Sequence, residues 1–189
     1  MLTLPNFLTL LRIIAVPVFL ILVANQHYGA GLVIFVMASI TDTVDGVIAR
    51  MTDAKSDLGA TLDPLADKLL IVSAFVSLMW LGAIPVWLFI LVVTRDVIVV
   101  GGYLAIYFVT TPMEVRPSGI GKLNAFMQMS TIGFALVAIT RPDIYMVPIN
   151  FVCEYGTGIT TALSGIHYLY SGLLWFQRQE PPPAAGTSA

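Results

Sequence analysis

Six stretches of this chain read as spans by the measure of the roughly 20 mostly apolar residues a helix needs to cross about 30 Å of hydrocarbon. Lipid offers exposed backbone no hydrogen-bond partner, so such a stretch crosses as a helix or not at all. Residues 8–24, 85–109, 120–139 and 148–176 read directly as spans. Two others share a polar region: a helix apolar over 31–40 that turns polar at Asp42 while keeping helical spacing, and one from about 62 that becomes apolar over 69–82. Pro17 interrupts the first span, where neighbouring helices can re-satisfy a kinked backbone.

Composition agrees, with 58% of the 189 residues hydrophobic and 11% charged, against roughly one quarter charged in soluble domains. The expected fold class is all-α: one polytopic bundle of six transmembrane helices over residues 1–176, without internal repeats, followed by a tail, 177–189, whose Pro181, Pro182 and Pro183 mark it as disordered. A net charge of -2 without a basic run excludes nucleic acid as a partner. The single cysteine, Cys153, excludes an internal disulfide and a Cys-rich metal site, and reads as packing. Residues 1–6 lack the basic start and cleavage site of a signal peptide, so the first apolar stretch is expected to stay in the membrane.

Six spans place both termini on one side. Arg12, Arg50, Lys55, Lys68, Arg116, Lys122 and Arg178 then fall at or near that side and only Arg141 opposite, so both termini are expected in the cytoplasm. Trp80 and Trp87 flank the opposite turn near Gly82, where indole rings favour the interface.

Nearly half of the charged residues lie between Asp42 and Lys68. Carboxylates in or beside a membrane are costly and call for a reason. Asp42, Asp45, Gly46, Ala49 and Arg50 recur at helical spacing on one face, and Gly59, Asp63 and Asp67 repeat every fourth residue on the next helix. Four carboxylates (Asp42, Asp45, Asp63 and Asp67) facing each other across a short loop repel unless cations lie between them. Hard oxygen ligands without His or Cys suit Mg²⁺ or Mn²⁺. Gly46, Ala49 and Gly59 leave room beside the backbone, and Arg50 offers a fork for phosphate. Together these features look like a diphosphate site.

The string Asp42-x2-Asp45-Gly46-x2-Ala49-Arg50-x8-Gly59-x3-Asp63-x3-Asp67 resembles, without departure, the signature of the CDP-alcohol phosphotransferases. The length, the six spans and the opening Pro5-Asn6-x2-Thr9-x2-Arg12 resemble the same family. The resemblance implies that Asp42, Asp45, Asp63 and Asp67 hold two Mg²⁺ or Mn²⁺ ions and that Asp67 also deprotonates the acceptor hydroxyl. It implies that Asn6, Gly46, Ala49, Arg50 and Gly59 contact the CDP moiety. The reaction implied is attack of an alcohol on the β-phosphorus of CDP-diacylglycerol, with CMP leaving. The same resemblance implies a homodimer in the bacterial inner membrane, its active site toward the cytoplasm.

Three outlying segments bear on the acceptor. Arg95, deep in the fourth span, points to an inner polar cavity: it contacts an acceptor phosphate or ties helices together. Its neighbour Asp96 lies on a different helical face, so an i,i+4 pair is unavailable. Arg116 and Lys122 either bind the acceptor or serve topology and headgroup attraction. The opening segment and Ser164-Gly165-Ile166-x-Tyr168 resemble phosphatidylglycerophosphate synthases, which use glycerol 3-phosphate. Arg95-Asp96 and Gly121-Lys122-Leu123-Asn124-Ala125 lean toward cardiolipin synthases, which use phosphatidylglycerol. Glycerol 3-phosphate is the first reading and phosphatidylglycerol the alternative.

From another class, a small cation transporter could also line its path with buried carboxylates, but would not require Gly46, Ala49 and Gly59 at these offsets. Intramembrane prenyltransferases space their acidic motifs differently. His27 reads as an exposed turn residue, His167 as a structural hydrogen-bond partner, and Glu154 as an interfacial group or a partner of Arg141.

Overall fold

In the computed structural model, residues 4–52, 57–109, 119–141 and 146–177 are described, and of their side chains those of 10–41, 68–102, 119–141, 147–172 and 174. The chain folds into helices α1 (Leu4–Ala24), α2 (Tyr28–Thr52), α3 (Asp57–Trp80), α4 (Val86–Val109), α5 (Gly119–Thr140) and α6 (Met146–Gln177). Each of the six expected stretches is a helix, α1 runs through Pro17 unbroken, and α2 stays helical well past Asp42. The tail, 178–189, lies outside the described residues.

Two helix ends are closed by the same backbone device. At the end of α3, Gly82 adopts φ 69°, its N–H donates to Met79 O and the Ala83 N–H donates to Leu78 O. This left-handed cap satisfies carbonyls the helix would otherwise leave bare. The end of α1 repeats the pattern with Gln26 at φ 62°, the N–H groups of Gln26 and His27 donating to Val23 O and Leu22 O. The resulting short turns return the chain beside itself, and Gly29 at the start of α2 comes within 3.8 Å of Thr140 at the end of α5 if given a Cβ. Trp80 is 85% exposed beside one of these turns, and Trp87 is also exposed.

The interior is divided. Phe19, Phe35, Phe75, Leu78, Leu88, Val92, Ile132 and Leu136 form an apolar core drawn from α1 to α5. Among the described residues α6 adds nothing to that core; its buried positions include Thr157, Thr161 and Ser164. Outside, Ile14, Ile21, Val33, Met37, Ile40, Ile90, Val97, Phe126, Val152, Ile159 and Ile166 are exposed over the bundle's length. An apolar surface this extensive is suited to lipid rather than water.

Among the described residues α5 is long and apolar enough by itself to cross a membrane, and Leu10–Ala24, Tyr28–Thr41 and Lys68–Trp80 form shorter apolar stretches. Polar continuations of α2 and α3 through Asp42, Asp45, Asp63 and Asp67 bound the apolar parts of those two helices.

Candidate active site

The whole acidic motif lies on helical backbone. Asp42, Asp45, Gly46, Ala49 and Arg50 occupy the last three turns of α2, and Gly59, Asp63 and Asp67 the first three of α3, with only residues 53–56 between the helices. At 3.6 residues per turn, positions three and four apart share a face, so each helix carries its motif residues as one stripe. Both helices pack on α1, which also carries Asn6. The side chains of Asn6, Asp42, Asp45, Gly46, Ala49, Arg50, Gly59, Asp63 and Asp67 lie outside the described residues, and all of Arg116 does. The donor chemistry fits a hard divalent cation: four carboxylates on two helices, with no nitrogen or sulfur ligand in the motif.

Two outlying segments of the sequence meet. Arg95, in the middle of α4, is 9% exposed; its Nη1 donates to Asp96 Oδ1 at 2.7 Å and its Nη2 to Ser164 Oγ at 2.9 Å. The guanidinium carbon stands 5.3 Å from the centroid of the Tyr168 ring, within range of a cation–π attraction. Helices α4 and α6 run in the same direction here, since Trp87 packs on Gly158 near the start of the contact and Arg95 on Gly165 further along. A Cβ at Gly158 would lie 2.8 Å from Trp87 Cζ3, so the missing side chain is what lets the indole seat against α6.

No i,i+4 spacing joins Arg95 to Asp96, as expected, yet the two neighbours pair directly. Adjacent residues leave a helix about 100° apart, but the arginine stem is long enough to fold back. From the other side, Lys68 Nζ on α3 reaches Asp96 Oδ2 at 2.6 Å. One carboxylate thus receives two cations from two helices. A buried arginine requires such a partner, because removing charge from water is compensated only by close, hydrogen-bonded opposite charge. Sequence reasoning treated Lys68 only as a topology marker and missed the pair; its place directly after Asp67 was the available signal.

A second polar seam joins α5 to α6. Asn124, 1% exposed, accepts hydrogen bonds at Oδ1 from Thr161 Oγ1 at 2.7 Å and Thr160 Oγ1 at 3.2 Å. Thr131 Oγ1 donates to Cys153 O at 3.1 Å and lies 2.8 Å from Thr157 Oγ1. Lys122, two residues before Asn124 on α5, is exposed, and no contact among the described residues joins it to Arg95. His27 is exposed as expected; His167 is exposed too, and among the described residues its recorded contact is not a hydrogen bond but an edge-on ring contact with Tyr168, 6.2 Å between centroids. Among the described residues no ion pair joins Glu154 to Arg141.

Comparison with known proteins identifies the family. The family model described as CDP-alcohol phosphatidyltransferase matches residues 2–163. A probable phosphatidylglycerophosphate synthase of Mycobacterium tuberculosis is 35% identical over 177 residues, covering 90% of this chain and 81% of its own. The cardiolipin synthase (CMP-forming) of Rattus norvegicus is 32% identical over 188 residues, covering 90% of this chain and 61% of its own. The CDP-diacylglycerol–glycerol-3-phosphate 3-phosphatidyltransferase of Bacillus subtilis is 30% identical over 183 residues, covering 89% and 94%. The chain thus spans 61% of the rat protein and 56% of a similar one from Drosophila melanogaster. Since the family match takes in α1 to α5, most of α6 and every position of the acidic motif, the chain belongs to the CDP-alcohol phosphatidyltransferase family.

Proposed function

We propose that this protein transfers a phosphatidyl group from CDP-diacylglycerol to glycerol 3-phosphate, releasing CMP, at the cytoplasmic end of six membrane-spanning helices with both termini in the cytoplasm. The observation that carries the reading is the unbroken acidic motif on the helical end of α2 and the helical start of α3, with only residues 53–56 between them in sequence. The exposed apolar exterior supports the membrane placement, as does the family, which is membrane-associated. Assembly as a homodimer and residence in a bacterial inner membrane are proposed on family resemblance.

In this reading Asp42, Asp45, Asp63 and Asp67 hold two Mg²⁺ or Mn²⁺ ions. Bound divalent cations supply charge stabilisation to the diphosphate and its departing oxygen. Asp67 accepts the proton of the acceptor hydroxyl, which requires it to lie within hydrogen-bond reach of that oxygen. The oxygen attacks the β-phosphorus, the bond to CMP breaks, and CMP carries away the electron pair. Arg50 orients phosphate through its planar fork, while Asn6, Gly46, Ala49 and Gly59 give the cytidine diphosphate room and contact.

Acceptor binding is assigned to Arg95, Arg116 and Lys122. Support for Arg95 comes from its union with Ser164 and Tyr168, the α6 residues whose pattern resembles the glycerol 3-phosphate enzymes. Two of its nitrogens are engaged and its buried Nε has no partner among the described residues. A second reading, phosphatidylglycerol as acceptor, is favoured by Asn124: the position is uncharged, buried and committed to Thr160 and Thr161, so it supplies no cation to a phosphate monoester. The test is a purified enzyme given CDP-diacylglycerol with either acceptor. Phosphatidylglycerophosphate from glycerol 3-phosphate supports the first reading, cardiolipin from phosphatidylglycerol the second, and neither product refutes both.

A further inference from the structure

We infer that Lys68 and Asp96 form a positioning pair that fixes how far α3 is turned about its own axis, and with it the register of the helical face carrying Asp63 and Asp67. The inference rests on the reading of those two aspartates given above.

Lys68 follows Asp67 directly and is therefore about 100° around the helix from it, while Asp63 and Asp67 share one face a turn apart. Fixing the direction of Lys68 fixes the direction of that face. The partner is not a mobile surface group: Asp96 has 8% side-chain exposure against 34% for Lys68. Asp96 is in turn held by Arg95, and Arg95 is anchored on α6 by Ser164 and Tyr168. The chain of contacts therefore runs from α6 through α4 to the residue beside the candidate base. The buried apolar face of α3, Leu70, Ile71, Ala74, Phe75 and Leu78, begins only beyond Lys68, and α3 lies lightly against α4, so Lys68 is the described contact of α3 nearest its acidic turns.

The geometry makes small rotations matter. Side-chain tips lie about 5 Å from a helix axis, so turning α3 by about 20° would displace them by about 2 Å. Misplacement of about 1 Å in a site of this kind can lower a rate about 100-fold. A pair that merely held the bundle together would alter stability and leave metal binding and turnover alone.

The experiment uses the full chain purified in detergent, as wild type, Lys68→Met, Lys68→Arg, Asp96→Asn and the Lys68→Met/Asp96→Asn double variant. Mn²⁺ binding is followed without substrate by the EPR signal of the free ion, with thermal unfolding and phosphatidyl transfer measured in parallel. Lys68→Met is expected to stay folded, to bind Mn²⁺ about 10-fold more weakly and to lose about 100-fold in kcat, with Lys68→Arg restoring both. The double variant should be no worse than the worse single one, because both remove one interaction. Should Asp96→Asn fail to fold, Lys68→Met decides alone, since it leaves the Arg95–Asp96 pair in place. Lys68→Met with wild-type Mn²⁺ affinity and kcat overturns the inference, even if its unfolding temperature falls. A wild type that consumes no CDP-diacylglycerol refutes the proposed activity instead, and the Mn²⁺ titration still tests the pair.

Discussion

Arg95 and Ser164, 69 positions apart in sequence, meet through a 2.9 Å hydrogen bond between buried side chains of α4 and α6. Ser164→Ala removes a neutral partner of a charged donor, a loss of about 1.5–3 kcal/mol. The variant should unfold at lower temperature in detergent and show a raised KM for the acceptor, with the KM for CDP-diacylglycerol unchanged. An unchanged acceptor KM would limit Arg95 to a structural role.

Gly158 and Gly165 make opposite predictions on the same helix. A methyl group at Gly158 would stand 2.8 Å from the Trp87 ring, whereas one at Gly165 would make an ordinary 3.6 Å contact with the stem of Arg95. Gly158→Ala should therefore cost about 1–3 kcal/mol, the usual range for overpacking, and Gly165→Ala far less. Thermal unfolding of the two variants side by side checks the difference.

The turn after α1 holds Gln26 at φ 62°, where the equivalent turn after α3 has Gly82 at φ 69°. A left-handed conformation costs a residue with a Cβ about 1–2 kcal/mol. Gln26→Gly should stabilise the protein by up to about 1 kcal/mol after allowing for glycine's greater freedom when unfolded. Gly82→Ala should destabilise it by a similar amount, and both shifts are readable as changes in unfolding temperature.

Asp67→Asn keeps the size of the side chain while removing its ability to take a proton at neutral pH. Transfer should fall by at least about 100-fold, the lower range for loss of a general base, with the helix content unchanged by circular dichroism. Wild-type turnover in this variant would remove Asp67 from the mechanism.

The helices were legible because lipid imposes a length rule: residues 85–109 and 120–139 emerge as α4 and α5 with ends within a residue or so. The acidic motif was legible because its spacing is local, and helical spacing alone puts Asp42 with Asp45 and Asp63 with Asp67. What the sequence did not disclose was pairing between distant helices. Nothing near Arg95 names Ser164 as its partner, and the i,i+4 rule is silent on the adjacent Asp96, since it describes the directions of Cβ atoms and not the reach of a long side chain. Asn124 likewise belonged to a segment that leans toward the cardiolipin synthases, but its burial against Thr160 and Thr161 depends on how α5 and α6 pack.

The central claim is that aspartates on α2 and α3 hold divalent ions without which no phosphatidyl group moves. It is tested most directly by measuring CMP release from CDP-diacylglycerol by the purified wild type, in the presence of acceptor, first with EDTA and then with Mg²⁺ or Mn²⁺ restored. The account predicts that EDTA stops CMP release and that either ion brings it back. Undiminished release in EDTA would contradict it.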